Sequence, residues 1–175
     1  MHNFFRHLRT VTRHRHLVIR HCFHCGILWQ GLRHDLSKYS PCEFLAGIKF
    51  YKGTKSPNEG EREIFGYSKA WIHHKGRNKH HFEYWTDYDR VTRVMSPVKM
   101  PLCYVKEMFC DRVAASKVYQ GTAYTNEHPL HYFLRGKANR AIHPETSKLL
   151  EEWLQILATQ GEQAAFKAIR DCKSY

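Results

Sequence analysis

The segment His34-Asp35-Leu36-Ser37-Lys38 brings an imidazole, a carboxylate and an ammonium group together within five residues. Imidazole nitrogen and carboxylate oxygen form a ligand set that suits divalent Mn, Fe, Co, Ni and Zn alike. His14, Glu107 and Asp111 are further groups of the same two types that can complete a site. If the fold gathers them, the sequence predicts a metalloenzyme. If it does not, the chain is a small basic helical protein.

The first helix has to position His14. Apolar side chains recur at helical spacing from residue 4 onwards, namely Phe4, Leu8, Val11, Val18, Cys22 and Cys25. This spacing predicts an amphipathic helix over residues 3–25, ended by Gly26. His14 lies one turn from both Val11 and Val18, so it faces inward at the edge of the buried stripe. We expect the other histidines of this helix to be packed or solvated; they are His7, His16, His21 and His24.

Glu107 and Asp111 lie four residues apart on a helix predicted over residues 101–120, so they share one face. Two adjacent carboxylates repel each other, and an inward-facing pair needs a metal, another cation or solvent to offset that repulsion. Apolar neighbours such as Tyr104 and Met108 make a buried pair and a solvated acidic face about equally favoured. Glu107 is predicted as a general base or as the residue that orients a metal-bound water.

Residues 70–85 form a second unusual stretch, with tryptophans near either end. Between them lie four imidazoles and several polar or basic groups: His73, His74, Lys75, Arg77, Asn78, Lys79, His80 and His81. Imidazoles ligate metals or transfer protons, and an arginine can grip phosphate with two hydrogen bonds. The stretch therefore predicts a pocket wall, with at most one histidine of each adjacent pair facing the site. The alternative is an exposed basic loop that contacts nucleic acid or aids solubility.

Composition sets the partner class. The chain has 175 residues and a formal net charge of +12, with 42% hydrophobic and 14% aromatic residues. These values fit a folded globule and favour an anionic partner, which can be a nucleotide, a phosphorylated metabolite or nucleic acid. A solvated basic surface is the alternative. There is no apolar run long enough for a membrane helix and no secretory signal, so we expect a cytoplasmic protein.

The six cysteines are expected to be reduced. Cys22 and Cys25 have zinc-like spacing, but no second close pair follows them, so we expect them to pack together in the core.

Residues that typically start or end helices, such as serine, proline and glycine, divide the rest of the chain into predicted helices. Ser40-Pro41-Cys42-Glu43 reads as a capping box that starts a helix over residues 41–52, followed by a loop at 53–60. Further helices are predicted at 60–75, 78–88, 101–120, 129–140, 144–160 and 162–172. No strand pattern and no internal repeat is found. The prediction is an all-α fold, one compact helical bundle that forms a single domain over residues 1–175.

Two resemblances add to this interpretation. The pattern His14…His34-Asp35…Asp111 resembles the signature of the HD-domain superfamily, which comprises helical metal-dependent phosphohydrolases and their relatives. Residues 34–38 look like their His-Asp-x-x-Lys form. Residues 30–38, 70–81 and 100–111 also resemble three motifs of a family of small, functionally uncharacterised bacterial and phage proteins.

The HD resemblance implies an HD-like helical domain with His14, His34, Asp35 and Asp111 as metal ligands. It also implies that Lys38 contacts substrate phosphate. One histidine of the pair His73/His74 and one of His80/His81 match, loosely, the extra histidines of two-metal members. One or two divalent ions are therefore expected, and the histidines are alternatively proton donors or phosphate ligands.

Three functions follow from these residues. The leading one is hydrolysis of a phosphate ester, in a nucleotide or a related anionic small molecule, by metal-activated water. In it, Glu107, His73 or His74 handles the proton. Substrate contacts are assigned to Lys38, Arg77, Asn78, His80 and His81, and Trp71, Tyr84 and Trp85 are available to stack a base. The alternatives are an HD-type diiron oxygenase and a non-enzymatic basic module that binds nucleic acid.

Overall fold

The computed structural model describes the backbone of residues 2–175 and the side chains from residue 3 onwards. Within that range the fold is all-α, with one two-stranded hairpin. Its helices are α1 (His2–His24), α2 (Leu28–Arg33), α3 (Pro41–Lys49), α4 (Pro57–Phe65), α5 (Lys69–Lys75), α6 (Leu102–Gln120), α7 (His128–Gly136), α8 (Pro144–Gln160) and α9 (Glu162–Asp171). The strands are β1 (Thr86–Tyr88) and β2 (Met95–Pro97), which pair in antiparallel register with Asp87 opposite Ser96.

Helix α6 is the centre of the molecule. Its residues 105–110 are all buried in succession, as expected for a helix covered on several sides. Helix α1 packs along it, and α7 and α8 cover it from elsewhere. Phe109 of α6, Leu154 of α8 and Ile169 of α9 belong to one apolar core and are fully buried. The same central helix carries Glu107 and Asp111, so the core fixes the position of both carboxylates.

A glycine brings α2 against α1. A Cβ atom at Gly31 would lie 2.7 Å from Cys22 Cβ and 3.1 Å from Ile19 Cα, which is too close for any other residue without movement. This close approach holds the start of the His34-Asp35 segment against α1, the helix that carries His14. Cys22 and Cys25 are themselves buried core residues, with Cys25 Sγ 3.6 Å from Cys110 Sγ, and all six cysteines are free.

The helix predicted over residues 60–75 is wrong in two respects. It begins earlier, at Pro57 inside the predicted loop, because Ser56 caps it by accepting a hydrogen bond from the backbone N–H of Asn58. It also breaks at Gly66, whose φ of 76° is left-handed. Ser68 then caps α5 by accepting from the N–H of Trp71. Gly66 thus ends one helix and Ser68 starts the next, although the residue pattern keeps helical spacing across both positions.

The predicted helix at 78–88 is also wrong, as is the absence of strands. A 3-10 turn at Phe82–Tyr84 leads into β1 instead. Asp89 Oδ1 accepts hydrogen bonds from the N–H groups of Val91 and Thr92, which tightens the turn between the strands. Tyr88 and Met95 are exposed, so the hairpin lacks the buried alternating face that reveals a strand in a sequence.

Two further predicted helix ends and one predicted cap differ from the structure. Helix α3 ends at Lys49, α7 ends at Gly136 before a short 3-10 turn, and the prediction of a capping box at Ser40 is wrong, because no side chain caps α3. Helix α8 occupies residues 144–160 as predicted. Among the described residues, no helix is both long and apolar enough to cross a membrane.

Candidate metal centre

Asp35 occupies the middle of a polar cluster because of its backbone conformation. Helix α2 ends at Arg33, and Asp35 then adopts a φ of 54° before the 3-10 turn Leu36–Tyr39. Aspartate tolerates this left-handed conformation better than most residues, although it remains uncommon outside glycine. The turn directs the carboxylate into the protein, and Asp35 is 1% exposed.

Four side chains, among them Asp35 with one of its oxygens, place their ligand atoms close to one another. His14 of α1, His34, Asp35 and Asp111 of α6 form this set, which we call the helix group. His14 Nε2 lies 3.0 Å from Asp111 Oδ1 and 3.4 Å from His34 Nε2. His34 Nε2 lies 3.3 Å from Asp35 Oδ2 and 3.5 Å from Asp111 Oδ1. The structure therefore brings together the four residues whose convergence the sequence predicted.

These separations match the edges of a metal coordination sphere. Ligand atoms about 2.0–2.1 Å from an ion lie about 3.3–3.4 Å apart in a tetrahedron and about 2.9 Å apart in an octahedron. The four distances above fall between 3.0 and 3.5 Å, and His14 Nε2 lies 3.8 Å from Asp35 Oδ2. The four residues can hold a divalent ion with little movement.

A second set surrounds the other oxygen of Asp35. It consists of Asp35, His74, His80 and His81, and we call it the loop group. His74 Nε2 lies 3.3 Å and His80 Nε2 3.5 Å from Asp35 Oδ1. Asp35 thus belongs to both groups, with one oxygen towards each.

The expectation that at most one histidine of each adjacent pair faces the site holds for His73/His74 and fails for His80/His81. His74 lies in the loop group, whereas His73 does not. His80 and His81 both do, with ring centroids 4.1 Å apart. The expectation assumed a regular element. His81 is instead extended (φ −86°, ψ 126°) at the start of a turn, which allows both rings to face the same way.

Glu107 joins the two groups from behind. Its Oε1 lies 2.9 Å from His34 Nδ1 and 3.1 Å from His80 Nδ1. A carboxylate at Nδ1 fixes the proton there and leaves Nε2 free as a ligand, which is the usual support for a metal-bound histidine. Of the two roles predicted for Glu107, these contacts favour orientation, through two histidine rings rather than through a water.

Glu43 gives the same support on the loop side, and the sequence interpretation missed it. Its two carboxylate oxygens lie 2.6 Å from His73 Nδ1 and 2.7 Å from His74 Nδ1. In the sequence, Glu43 follows Ser40 by three residues, which is the spacing of a capping box and hides its role in the site. Its burial at 7% exposure and its two histidine partners follow from packing of α3 on α5, which no local pattern reports.

Mutual interactions hold several of these groups in their charged forms. Burial alone would raise the pKa of Asp35, but His34, Lys38 and His74 outweigh it and hold that pKa well below its usual value. Burial likewise opposes protonation of His34, yet Asp35, Asp111 and Glu107 raise its pKa well above normal. The pKa of His14 is lowered, chiefly by burial. Metal binding at His34 therefore has to release a proton.

The cluster also contains buried polar atoms without a hydrogen-bond partner. They are both carboxylate oxygens of Asp35 and the Nε2 atoms of His80 and His81. Lys38 Nζ lies 2.7 Å from Asp35 Oδ2, but as an ion pair without hydrogen-bond alignment. Unpaired buried groups are costly and call for an explanation. A cation between them explains all four, because each is a metal-ligating atom.

The family model described as "Family of unknown function (DUF5662)" matches residues 3–156 of this chain. The chain belongs to this family. No curated protein and no solved structure matches it. The span matched by the DUF5662 model contains both ligand groups, Glu43 and Glu107.

The remaining residues assigned to the site of this DUF5662 protein lie around the two groups. Lys38 remains 32% exposed at its side chain while its Nζ reaches Asp35. Asn78 is buried and donates to Ser37 Oγ and to the carbonyl of His74, so it supports α5 and the turn that follows. Arg77 is exposed and contacts only the carbonyl of His73.

Proposed function

We propose that this protein is a metal-dependent phosphohydrolase that acts on a phosphate ester, in a nucleotide or a related anionic small molecule. The observation that carries the proposal is the buried carboxylate of Asp35, which accepts no hydrogen bond from the described residues and has histidine nitrogens facing it from two sides. A divalent ion held there lowers the pKa of a coordinated water and polarises a phosphoryl oxygen. The similarity of His14…His34-Asp35…Asp111 to HD-domain enzymes supports the same function.

The protein side chains divide the work by position. Glu107 and Glu43 hold the ring orientations of His34, His80 and His74. Lys38 stands beside Asp35 with a partly exposed side chain, where its ammonium group can pair with an incoming phosphate.

His73 is the group best placed to handle a proton. It lies outside both ligand groups, its side chain is 21% exposed, and Glu43 Oε1 lies 2.6 Å from its Nδ1. The carboxylate at Nδ1 fixes the orientation of this ring, and we assign His73 as the group that donates a proton from Nε2 to a leaving alkoxide. His74 is less suited to this role because its Nε2 faces Asp35.

The test is a panel of nucleotides and generic phosphodiesters assayed with protein loaded separately with Mn, Fe, Co, Ni or Zn. We expect hydrolysis that a chelator abolishes and that the Asp35→Asn variant lacks. His73→Gln should lose rate while it keeps its metal content, since His73 is not a ligand in this account. Asp35→Asn protein with full metal content and full activity would overturn the proposal.

A second candidate is a diiron oxygenase. It is favoured by the loop group, which offers three histidines and a shared carboxylate for a second ion. Anaerobic purification followed by elemental analysis separates the two functions. Two irons per chain with oxygen consumption favour the oxygenase, whereas redox-inert ions with phosphate release favour hydrolysis.

A further inference from the structure

A cavity of about 500 Å³ lies between α1, α6 and α9, away from the metal centre. Its wall includes Arg20 and His21 of α1, Lys117 of α6, and Phe166 and Arg170 of α9. Small-molecule sites in proteins have volumes of about 300–1,000 Å³, so the cavity is large enough for a compact ligand.

Positively charged side chains outnumber negatively charged ones in the wall of this cavity. Arg20, Lys117 and Arg170 bring three permanent positive charges to the wall, and Glu162 is the one carboxylate among the lining residues. Glu162 Oε1 lies 2.5 Å from Lys117 Nζ, so this carboxylate is already paired with one of the three cations. The two arginines form no ion pair within the described residues, which leaves them available to an anion.

Two neighbouring side chains fix the position of the Lys117 ammonium group. Besides Glu162, its Nζ lies 3.4 Å from His21 Nε2. Burial and the charge of Lys117 lower the pKa of His21 to about 4, so the ring is neutral and accepts at Nε2 while its Nδ1 donates to the carbonyl of Cys110. An ammonium group fixed by two partners, with its side chain 22% exposed, is preorganised for a third.

Packed residues separate this cavity from the metal centre. His14 and His21 are seven residues apart on α1, about 10 Å along a helix axis. Asp111 and Lys117 are six residues apart on α6, about 9 Å along its axis. Val18 and Ala114 occupy the intervening turns and are fully buried. A ligand in the cavity therefore binds separately from one at Asp35.

We propose that this cavity is a metal-independent binding site for a small molecule that carries a phosphate group. Arginine recognises phosphate through paired, charge-assisted hydrogen bonds, and two arginines with one fixed lysine form a set typical of such sites. The cavity is larger than a phosphate ion, and the Phe166 ring, with His24 stacked on it at 5.6 Å, offers an apolar wall for the organic part. The proposal does not depend on the hydrolase function.

The test is isothermal titration calorimetry on the full chain after chelator treatment, at constant ionic strength, with inorganic phosphate and with adenosine monophosphate. We expect saturable binding of both at one site, with the nucleotide binding more tightly. Arg20→Gln and Arg170→Gln should each weaken binding about tenfold, the effect of losing one charge-assisted hydrogen bond. Both residues are exposed, so these variants are expected to fold.

Two controls separate this site from general charge and from the metal centre. Arg13→Gln removes one positive charge from an exposed position of α1 outside the cavity and should leave binding unchanged. Asp111→Asn alters the metal centre and should also leave it unchanged. The proposal is overturned if neither ligand binds, if Arg13→Gln weakens binding as much as Arg20→Gln, or if Asp111→Asn abolishes it.

Discussion

The two ligand groups that share Asp35 are built in opposite ways. In the helix group, His14 and Asp111 project from α1 and α6, two long helices packed against each other. In the loop group, His74 lies in the last turn of the short helix α5, and His80 and His81 lie in the irregular turn beyond it. Side chains on a long helix point in directions that its period dictates, whereas those in a turn depend on each local backbone angle. Helix periodicity therefore fixes the directions of His14 and Asp111, whereas local backbone angles fix those of the loop histidines.

Asp35 is the residue whose substitution should weaken metal binding at both groups. Asp35→Asn leaves the shape nearly unchanged but removes the negative charge that both groups share and replaces one of the two ligating oxygens by an amide NH2, which is a poor metal ligand. We expect metal affinity to fall more than about 100-fold at both groups, since supporting partners alone are worth about 10–100-fold. Competitive metal titration against a chromophoric chelator measures this. The matched control is Asp87→Asn on exposed β1, and equal affinity in the two variants would contradict the shared role of Asp35.

Substitutions confined to one group test whether the groups bind separate ions. Asp111→Asn should remove the ion of the helix group, and His80→Gln should remove the ion of the loop group, so each variant loses one equivalent of bound metal. Elemental analysis gives the stoichiometry, with exposed His131→Gln as the control for a lost histidine. If His80→Gln retains all its metal, the loop histidines are not ligands, and they then serve as proton or phosphate contacts.

Substitutions of the two supporting glutamates, Glu107 and Glu43, should affect the two ligand groups differently. Glu107 contacts a histidine from each group, whereas the histidines that Glu43 contacts, His73 and His74, both lie on the loop side. Glu107→Gln should therefore weaken metal binding at both groups by about 10–100-fold, and Glu43→Gln only at the loop group. Metal titrations of both variants, with exposed Glu152→Gln as the control, report the difference. The same effect on both groups from Glu43→Gln would contradict this assignment.

The packed histidines His7 and His21 of α1 should make the stability of the fold depend on pH. Burial, followed by a nearby lysine, lowers the pKa values of His7 and His21 to about 4. Between pH 6.5 and 4 the unfolded chain binds protons that the folded one does not, so stability falls as the pH falls through that range. Each histidine accounts for about 2–3 kcal/mol of this loss.

His21→Gln should therefore lose less stability than the unmodified protein between pH 7 and pH 4.5. Urea unfolding at the two pH values measures the change. His16 is exposed on the same helix, so His16→Gln should behave like the unmodified protein. An unchanged pH dependence in His21→Gln would mean that its ring is not held neutral by burial.

Much of the fold was predictable because its long helices carry clear local signals. The interval from Pro144 to Gly161 defines α8, and Met100-Pro101 marks the start of α6. The hairpin was not predictable, because Tyr88 and Met95 are exposed and show no buried alternation. The break at Gly66 was not predictable either, because the helical spacing of the sequence continues through it.

The candidate site shows the same division. The His34-Asp35 pair and the position of His14 on the apolar stripe indicated part of the helix group, and the resemblance to HD-domain proteins supplied the full set with Asp111. Glu43 was assigned to a local capping motif, although its partners His73 and His74 are 30 and 31 residues away in the sequence. A carboxylate that supports a distant histidine leaves no local pattern.

Anomalous diffraction from crystals grown with a divalent transition metal, recorded on both sides of its absorption edge, locates the metal ion itself. We expect a peak bonded to His14 Nε2, His34 Nε2, Asp35 Oδ2 and Asp111 Oδ1, at the usual metal–ligand distances of about 2.0–2.2 Å. A metal-loaded crystal with no peak between these four atoms would contradict this expectation.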